Sequence, residues 1–325
     1  MTTGVSEDLL RSVTSSLSSR WDVARQDTKV TISHPDRGTP FHPRHRPFSW
    51  EQLHHDLAGS FARQGIAADD PLPLRWGRDT DLTISAIQAL DPLLKDRNRN
   101  VHRSGYIPQP VVRFTGKRSP TGALEDGWLT SFVNVSCVMP VNSVEEYGNL
   151  LNAWISVLSS LGMNARHLSI YGDLSVWTRR EVSGITLRFR HLDLTLGDLV
   201  LLWNTDDPTY MAVDLGSGLE RLAWALTRSE WRTLIFGHLA PRSTSADLDA
   251  IRTATLLLGS GITASSRGAG NSTHRILRSL TREAVGLGVS ATVREFHQYW
   301  SLAGQLRTPW PNITCAIEAT PIGAI

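Results

Sequence analysis

The chain has 325 residues, of which 41% are hydrophobic and 20% charged, with a net charge of +2. That is the make-up of a globular protein of one large or two moderate domains, and it is too weakly basic to argue nucleic-acid binding from charge alone. Only Cys137 and Cys315 are present, which excludes a disulfide framework or a cysteine-built zinc site and fits a reducing cytoplasm. The N-terminus lacks a basic start followed by an apolar stretch, and no apolar run approaches membrane-spanning length, so a cytoplasmic protein without a membrane partner is expected.

In chain order, residues up to about Val30 read as an amphipathic helix with a Ser-rich middle, and Ser33 to Arg46 as a Pro-, His- and Arg-rich loop. The histidines of that loop sit among prolines without ligand spacing, so no metal site is expected there. Phe48 to Gly65 reads as a helix, with Ser49 as N-cap and Leu53, Leu57 and Phe61 along one face. Asp81 to Leu94 forms a further element that Asp91 and Pro92 close before a basic turn. Between Val111 and Val138 two β-rich runs flank a polar loop, the pattern of a hairpin with a long connection. Gly148 to Gly162 repeats Leu150, Leu151, Trp154, Ile155, Leu158 and Leu161 at helical intervals. Ile185 to Phe189 and Leu199 to Trp203 read as strands.

Met211 to Leu226, M-A-V-D-L-G-S-G-L-E-R-L-A-W-A-L, is the most informative segment. Gly216 and Gly218 permit a close backbone approach, and Leu219, Leu222, Ala223 and Leu226 recur at helical spacing. The expectation is a strand, a glycine-rich turn and a helix, where free backbone N–H groups and the Arg221 guanidinium face a phosphate together. Beyond Ser243 the chain reads as helical, including a helix with His274, Arg275, Arg278 and Arg282 as a basic stripe, and it closes on a strand-like tail, P-N-I-T-C-A-I-E-A-T.

Val213, Asp214, Gly216, Gly218, Leu219, Glu220 and Arg221 match motif 3 of class II aminoacyl-tRNA synthetases, above all the alanyl-tRNA synthetase form V-D-T-G-M-G-L-E-R. The segment around Val112, Arg113, Gly116 and Lys117, followed by Asn134 and Ser136, resembles motif 2 of that family, and I-Y-G-D-L-S-V-W resembles its segment ending in a pocket Trp. The resemblance implies an α+β fold, an antiparallel sheet flanked by helices followed by a helical C-terminal domain. Its divisions are an N-terminal helix and basic loop (1–46), a catalytic domain (47–240) and a helical domain (241–325).

It also implies roles. Arg113 would meet the ATP α-phosphate and Arg221 the γ-phosphate, Asp214 the substrate ammonium, Trp177 the side-chain pocket, and Gly216 and Gly218 the close approach of substrate. Lys117, Trp128 and Asn134 complete the nucleotide set, with Trp128 as the stacking ring. ATP and Mg²⁺ are the implied cofactors, with no metal ligands assigned. The pattern departs from the family where a carboxylate gives way to Leu187 and where another acid falls on Thr130.

The family's editing domain and much of its tRNA-recognition region have no counterpart in the sequence, while the residues of amino-acid activation are kept. The expected reaction is therefore activation of alanine or another small amino acid and its transfer to a non-tRNA acceptor, such as an amine or sulfonamide of a small, nucleoside-like metabolite. The alternative is a minimal alanyl-tRNA synthetase or a paralogue that charges or uses tRNA. A silent nucleotide- or RNA-binding module is a third reading, against which Arg113, Asp214 and Arg221 argue. The oligomeric state is not legible in the sequence.

Overall fold

The first thirty residues do not form one helix. In the computed structural model, which describes residues 2–17, 21–43, 48–118, 124–286 and 288–320, helix α1 (Thr2–Ser16) is followed by a hairpin of β1 (Asp22–Gln26) and β2 (Lys29–Ser33). The hairpin turns at Asp27, whose φ of 53° is the left-handed conformation that Asp tolerates better than most residues. β1 is an edge strand with all five residues exposed, so it lacks the alternation that marks a half-buried strand. The basic end of the following loop, 44–47, lies outside the described residues, as does 119–123 in the long hairpin connection.

The chain forms two compact units. Unit 1 comprises 1–70, 86–107 and 134–228; unit 2 comprises 71–85, 108–133 and 229–325. Helix α2 (Trp50–Arg63) starts as expected, with the Ser49 hydroxyl accepting from the Gln52 N–H at 3.2 Å. A 3₁₀ turn (Ala86–Leu90) leads into α3 (Asp91–Asp96), so Asp91 and Pro92 open a helix rather than close one. Proline suits a first helical turn because its missing N–H would have no partner there.

Strand β3 (Gly105–Val112) and strand β4 (Ser131–Val141) follow, then α4 (Glu145–Leu161), which stops at Gly162 with φ of 109°. Four strands come next, β5 (Leu168–Arg179), β6 (Val182–His191), β7 (Leu194–Asn204) and β8 (Met211–Gly218), and β8 runs straight into α5 (Leu219–Thr227). All eight strands belong to one antiparallel sheet in the order β1-β2-β5-β6-β7-β8-β4-β3, so the protein is α+β. No described helix is long and apolar enough to cross a membrane.

One face of the unit 1 sheet is apolar because every second residue is. Ile185, Leu187, Phe189, Leu199, Leu201, Val213 and Leu215 are all buried. α4 covers this side: the Tyr147 hydroxyl donates to the Leu199 carbonyl at 2.9 Å, and the Trp154 ring meets Phe189 edge-on at 5.6 Å. α1 and α2 pack on α4 in turn. α1 comes so close that a Cβ on Gly148 would lie 2.5 Å from the Ser12 carbonyl oxygen, which explains a glycine in mid-helix. On the other face, Val138, Leu202 and Ala212 pack against Ala86, Leu90, Leu93 and Leu94, with Trp177 and Val200 at the margin.

Unit 2 is built around α7 (Ser245–Gly259), buried from Asp247 to Gly259, which follows α6 (Trp231–Phe236). It is packed by α8 (Gly268–Arg278), α10 (Ser290–Ser301) and α11 (Trp310–Glu318), with the short α9 (Arg282–Gly286) between α8 and α10. The closing segment is thus a helix, not a strand: Ile313 and Ile317, one turn apart, are both fully buried. The basic stripe is also divided. Asp247 takes the Thr281 N–H at 2.9 Å and its hydroxyl at 3.1 Å, so the chain breaks between Arg278 and Arg282, which lie on separate helices.

Candidate functional site

The alternation that makes one side of the unit 1 sheet apolar makes the other side polar. Across β6, β7, β8 and β4 the register aligns Arg188 with Asp198, Asp198 with Gly216, and Gly216 with Ser136. One row along, Thr186, Val200, Asp214 and Val138 align in the same way. Asp214 is half-buried, with its Oδ1 out of solvent, and is walled by two valines. Its charge is felt through the sheet: burial first, and the Asp214 carboxylate second, push the Cys137 thiol up to about 12.

Gly216 and Gly218 do not form a turn. Both belong to β8, and neither has a positive φ; Gly218, the residue ahead of α5, sits at φ −76° and ψ 126°. At Gly216 a side chain is absent beside two polar groups. A Cβ there would stand 3.5 Å from the Asn134 Oδ1 and 3.6 Å from the Asp198 Oδ1, so the missing side chain leaves a gap with an amide on one side and a carboxylate on the other. Asn134 is 4% exposed and pairs with Gly218 across β4 and β8.

Trp177 lies over Gly184 on the same face, where a Cβ on the glycine would come within 2.7 Å of the ring. Its indole N–H donates to the Thr186 hydroxyl at 3.0 Å, which fixes the ring plane. Arg221 stands in the first turn of α5 and donates from Nη1 to the Thr195 carbonyl at 3.2 Å. Burial pushes its guanidinium below its ordinary value and the neighbouring Glu220 pulls the other way, so it remains a cation at any physiological pH.

The remaining expected residues belong to unit 2. Arg113 follows β3; its backbone N–H donates to the Thr130 carbonyl at 2.8 Å and its Nε to the Ile84 carbonyl at 2.6 Å, with the guanidinium 5.2 Å over the Phe132 ring. Lys117 is exposed, and its carbonyl accepts from Glu125 at 3.0 Å. Trp128 is half-buried beside Gly116, and its backbone N–H donates to the Glu125 carbonyl at 3.1 Å. The structure therefore gathers Asp214, Gly216, Gly218, Asn134, Trp177 and Arg221 on the sheet and helix of unit 1, and Arg113, Lys117 and Trp128 on one connection of unit 2.

Two members of the polar face were missed in the sequence, Asp198 and Arg188. The signal was there: Asp198 is the one acid in the apolar run L-T-L-G-D-L-V-L-L-W-N, and an acid in a strand marks its polar side. Leu187 is buried on the opposite face, beside Thr186 and Arg188 on the polar one. In unit 2, Thr130 offers its backbone N–H to the buried Asp249 carboxylate at 3.0 Å.

Among the described residues no three His, Cys, Asp or Glu side chains cluster as metal ligands. Mg²⁺ needs no such cluster, since it commonly keeps several waters and takes one or two carboxylates together with substrate phosphates. Asp198 and Asp214 are carboxylates of that kind on this face. Neither a scan against protein-family models nor a search of curated proteins gave a match.

Proposed function

We propose that the protein is an adenylate-forming aminoacyl ligase with a class II synthetase-like fold. It would activate alanine or another small amino acid with ATP and pass it to a small-molecule acceptor bearing an amine or sulfonamide. The observation that carries this reading is Asp214, a half-buried carboxylate between two valines on the polar face, on a strand that leads without a turn into the helix holding Arg221.

The chemistry follows from those groups. Asp214 takes the substrate ammonium, the side chain lies toward Trp177, and the gap over Gly216 admits the substrate backbone. One oxygen of the substrate α-carboxylate attacks the ATP α-phosphorus; the new C–O–P link forms as the bond to the bridging oxygen breaks and pyrophosphate leaves. Arg221 binds the γ-phosphate, where a planar fork of donors suits phosphate oxygens. Asn134, beside the Gly216 gap, contributes to holding the nucleotide. Asp198 is the carboxylate that would help hold a phosphate-bound Mg²⁺, which would supply charge neutralisation on the leaving group. Such catalysis is mostly positioning and electrostatics. The acceptor nitrogen then attacks the acyl carbon and releases AMP.

A small pocket has limited selectivity, since one methylene is worth only about 1–3 kcal/mol. Glycine and serine are therefore expected as weaker substrates. The division of the basic residues between α8 and α9 supports a small acceptor over tRNA. Purified protein should catalyse alanine-dependent ATP–pyrophosphate exchange, and its absence rejects the ligase. Formation of the amide product should survive ribonuclease, and loss of product on that treatment assigns the acceptor to tRNA instead.

A further inference from the structure

Arg221 and Arg228 are seven residues apart, two turns along α5, and so project from nearly the same side of it. Both reach the same hairpin. Arg221 donates to Thr195 at the start of β7, at 3.2 Å. Arg228 bonds the turn before it: Nη1 reaches the Asp193 carboxylate at 2.6 Å, while Nη2 lies 3.3 Å from both the carbonyl oxygen and the Nδ1 of His191. Phe41 closes this corner, 5.9 Å beneath the guanidinium and edge-on to the His191 ring at 4.6 Å.

Arg228 also has an unusual backbone. It ends α5 at φ 54° and ψ 22°, with its N–H on the Trp224 carbonyl. Glycine is the usual residue at such a helix end, because a Cβ is strained there. An arginine kept in that conformation needs a reason in its side chain, and its three contacts with the hairpin supply one. The His191 Nδ1 can accept from it because the fully buried ring stays neutral: burial, followed by Arg228 and His167, lowers its pKa to about 4, against a small opposing pull from Asp193.

We propose that Arg228 is a positioning residue: with Asp193 and His191 it clamps the far end of α5 to the β6–β7 hairpin and thereby sets where Arg221 presents its guanidinium. This inference rests on the role given above to Arg221 as a γ-phosphate ligand, and its tests separate the two. Arg228→Gly is the decisive variant, because a residue that merely ends the helix should be as good or better as glycine. Amides of α5 are expected to exchange with deuterium at least tenfold faster in Arg228→Gly, with β5 to β7 unchanged. The KM for ATP should rise at least fivefold while the KM for the amino acid stays within twofold. Arg228→Lys, which keeps the charge but loses the fork, should fall between the two. Asp193→Asn, at a side chain that is 73% exposed, should show the same changes at two- to threefold.

Unchanged or greater protection of α5 in Arg228→Gly overturns the clamp. Loosened α5 with an unaltered KM for ATP overturns the positioning role and leaves the ligase intact. Loosened α5 in a protein whose wild type shows no pyrophosphate exchange upholds the clamp and rejects the ligase.

Discussion

Leu215 and Asp214 are neighbours on β8 yet meet opposite demands. Leu215 is fully buried on the face that α4 covers, among Leu199, Leu201 and Val213. Asp214 points the other way, half-buried, in a row with Thr186 and beside the row of Arg188, Asp198 and Ser136. The apolar face is continuous because a helix layer lies on it. The polar face carries a second, smaller apolar group, Val138, Leu202 and Ala212 against Leu90, Leu93 and Leu94, beside its rows of polar residues. The comparison teaches that on this sheet stability and chemistry are divided by strand parity, one residue apart.

The most severe way to break that division is to place a charge on the wrong side. Leu215→Asp buries an unpaired carboxylate under α4 and should cost more than about 5 kcal/mol, enough to abolish the cooperative unfolding transition in urea. A folded, two-state variant would show that the face is not dry. The mirror change, Asp214→Ala, should leave stability within about 1 kcal/mol of wild type. It should raise the KM for the amino acid in pyrophosphate exchange by an amount equivalent to about 2–5 kcal/mol, with the KM for ATP little changed. An unaltered exchange rate removes Asp214 from the site.

Acid sharpens the comparison more gently. The folded protein holds His191 neutral down to about 4, whereas the unfolded chain takes the proton near its ordinary 6.5. Between those values the unfolded state binds more protons, so stability falls as the pH drops through that window, by about 1.4 kcal/mol per pH unit from this group. Urea midpoints measured from pH 7 to pH 4.5 should fall accordingly, and the His191→Asn variant should remove part of the slope. The smallest expected effect on stability is that of Gly216→Ala. Its methyl group would meet Asn134 and Asp198 at ordinary contact distances of 3.5 and 3.6 Å, so the unfolding free energy should change by less than about 1 kcal/mol. Exchange activity should nonetheless drop, because the gap is filled; full activity would show that substrate does not use it.

Several elements were legible in the sequence for local reasons. The Ser49 cap and the Leu53, Leu57 and Phe61 stripe identify α2, and the apolar repeat through Trp154 and Leu158 identifies α4. β8 and α5 were readable because a period of two passes into a period near four at Leu219. The turn expected between them is absent, because Gly216 and Gly218 stay within β8 at negative φ and the strand passes directly into the helix. β1 escaped notice because an edge strand exposed along its whole length carries no alternation, and α11 because Ile313, Thr314 and Ile317 are β-branched residues that tertiary burial holds in a helix.

By itself, then, the sequence determined that a helix begins at Leu219, which faces of α2 and α4 are apolar, and that a carboxylate and a guanidinium flank that junction. These depend on neighbours a few residues apart, whose preferences act before the chain has folded. Tertiary structure alone decided that Asn134, Asp198 and Gly216 share one gap, that α8 and α9 part at the Asp247 carboxylate, and that Arg228 grips Asp193 and His191. Each of those joins residues 18 to 82 positions apart through strand register or helix packing, and a one-residue slip in register would turn the polar face of β8 inward.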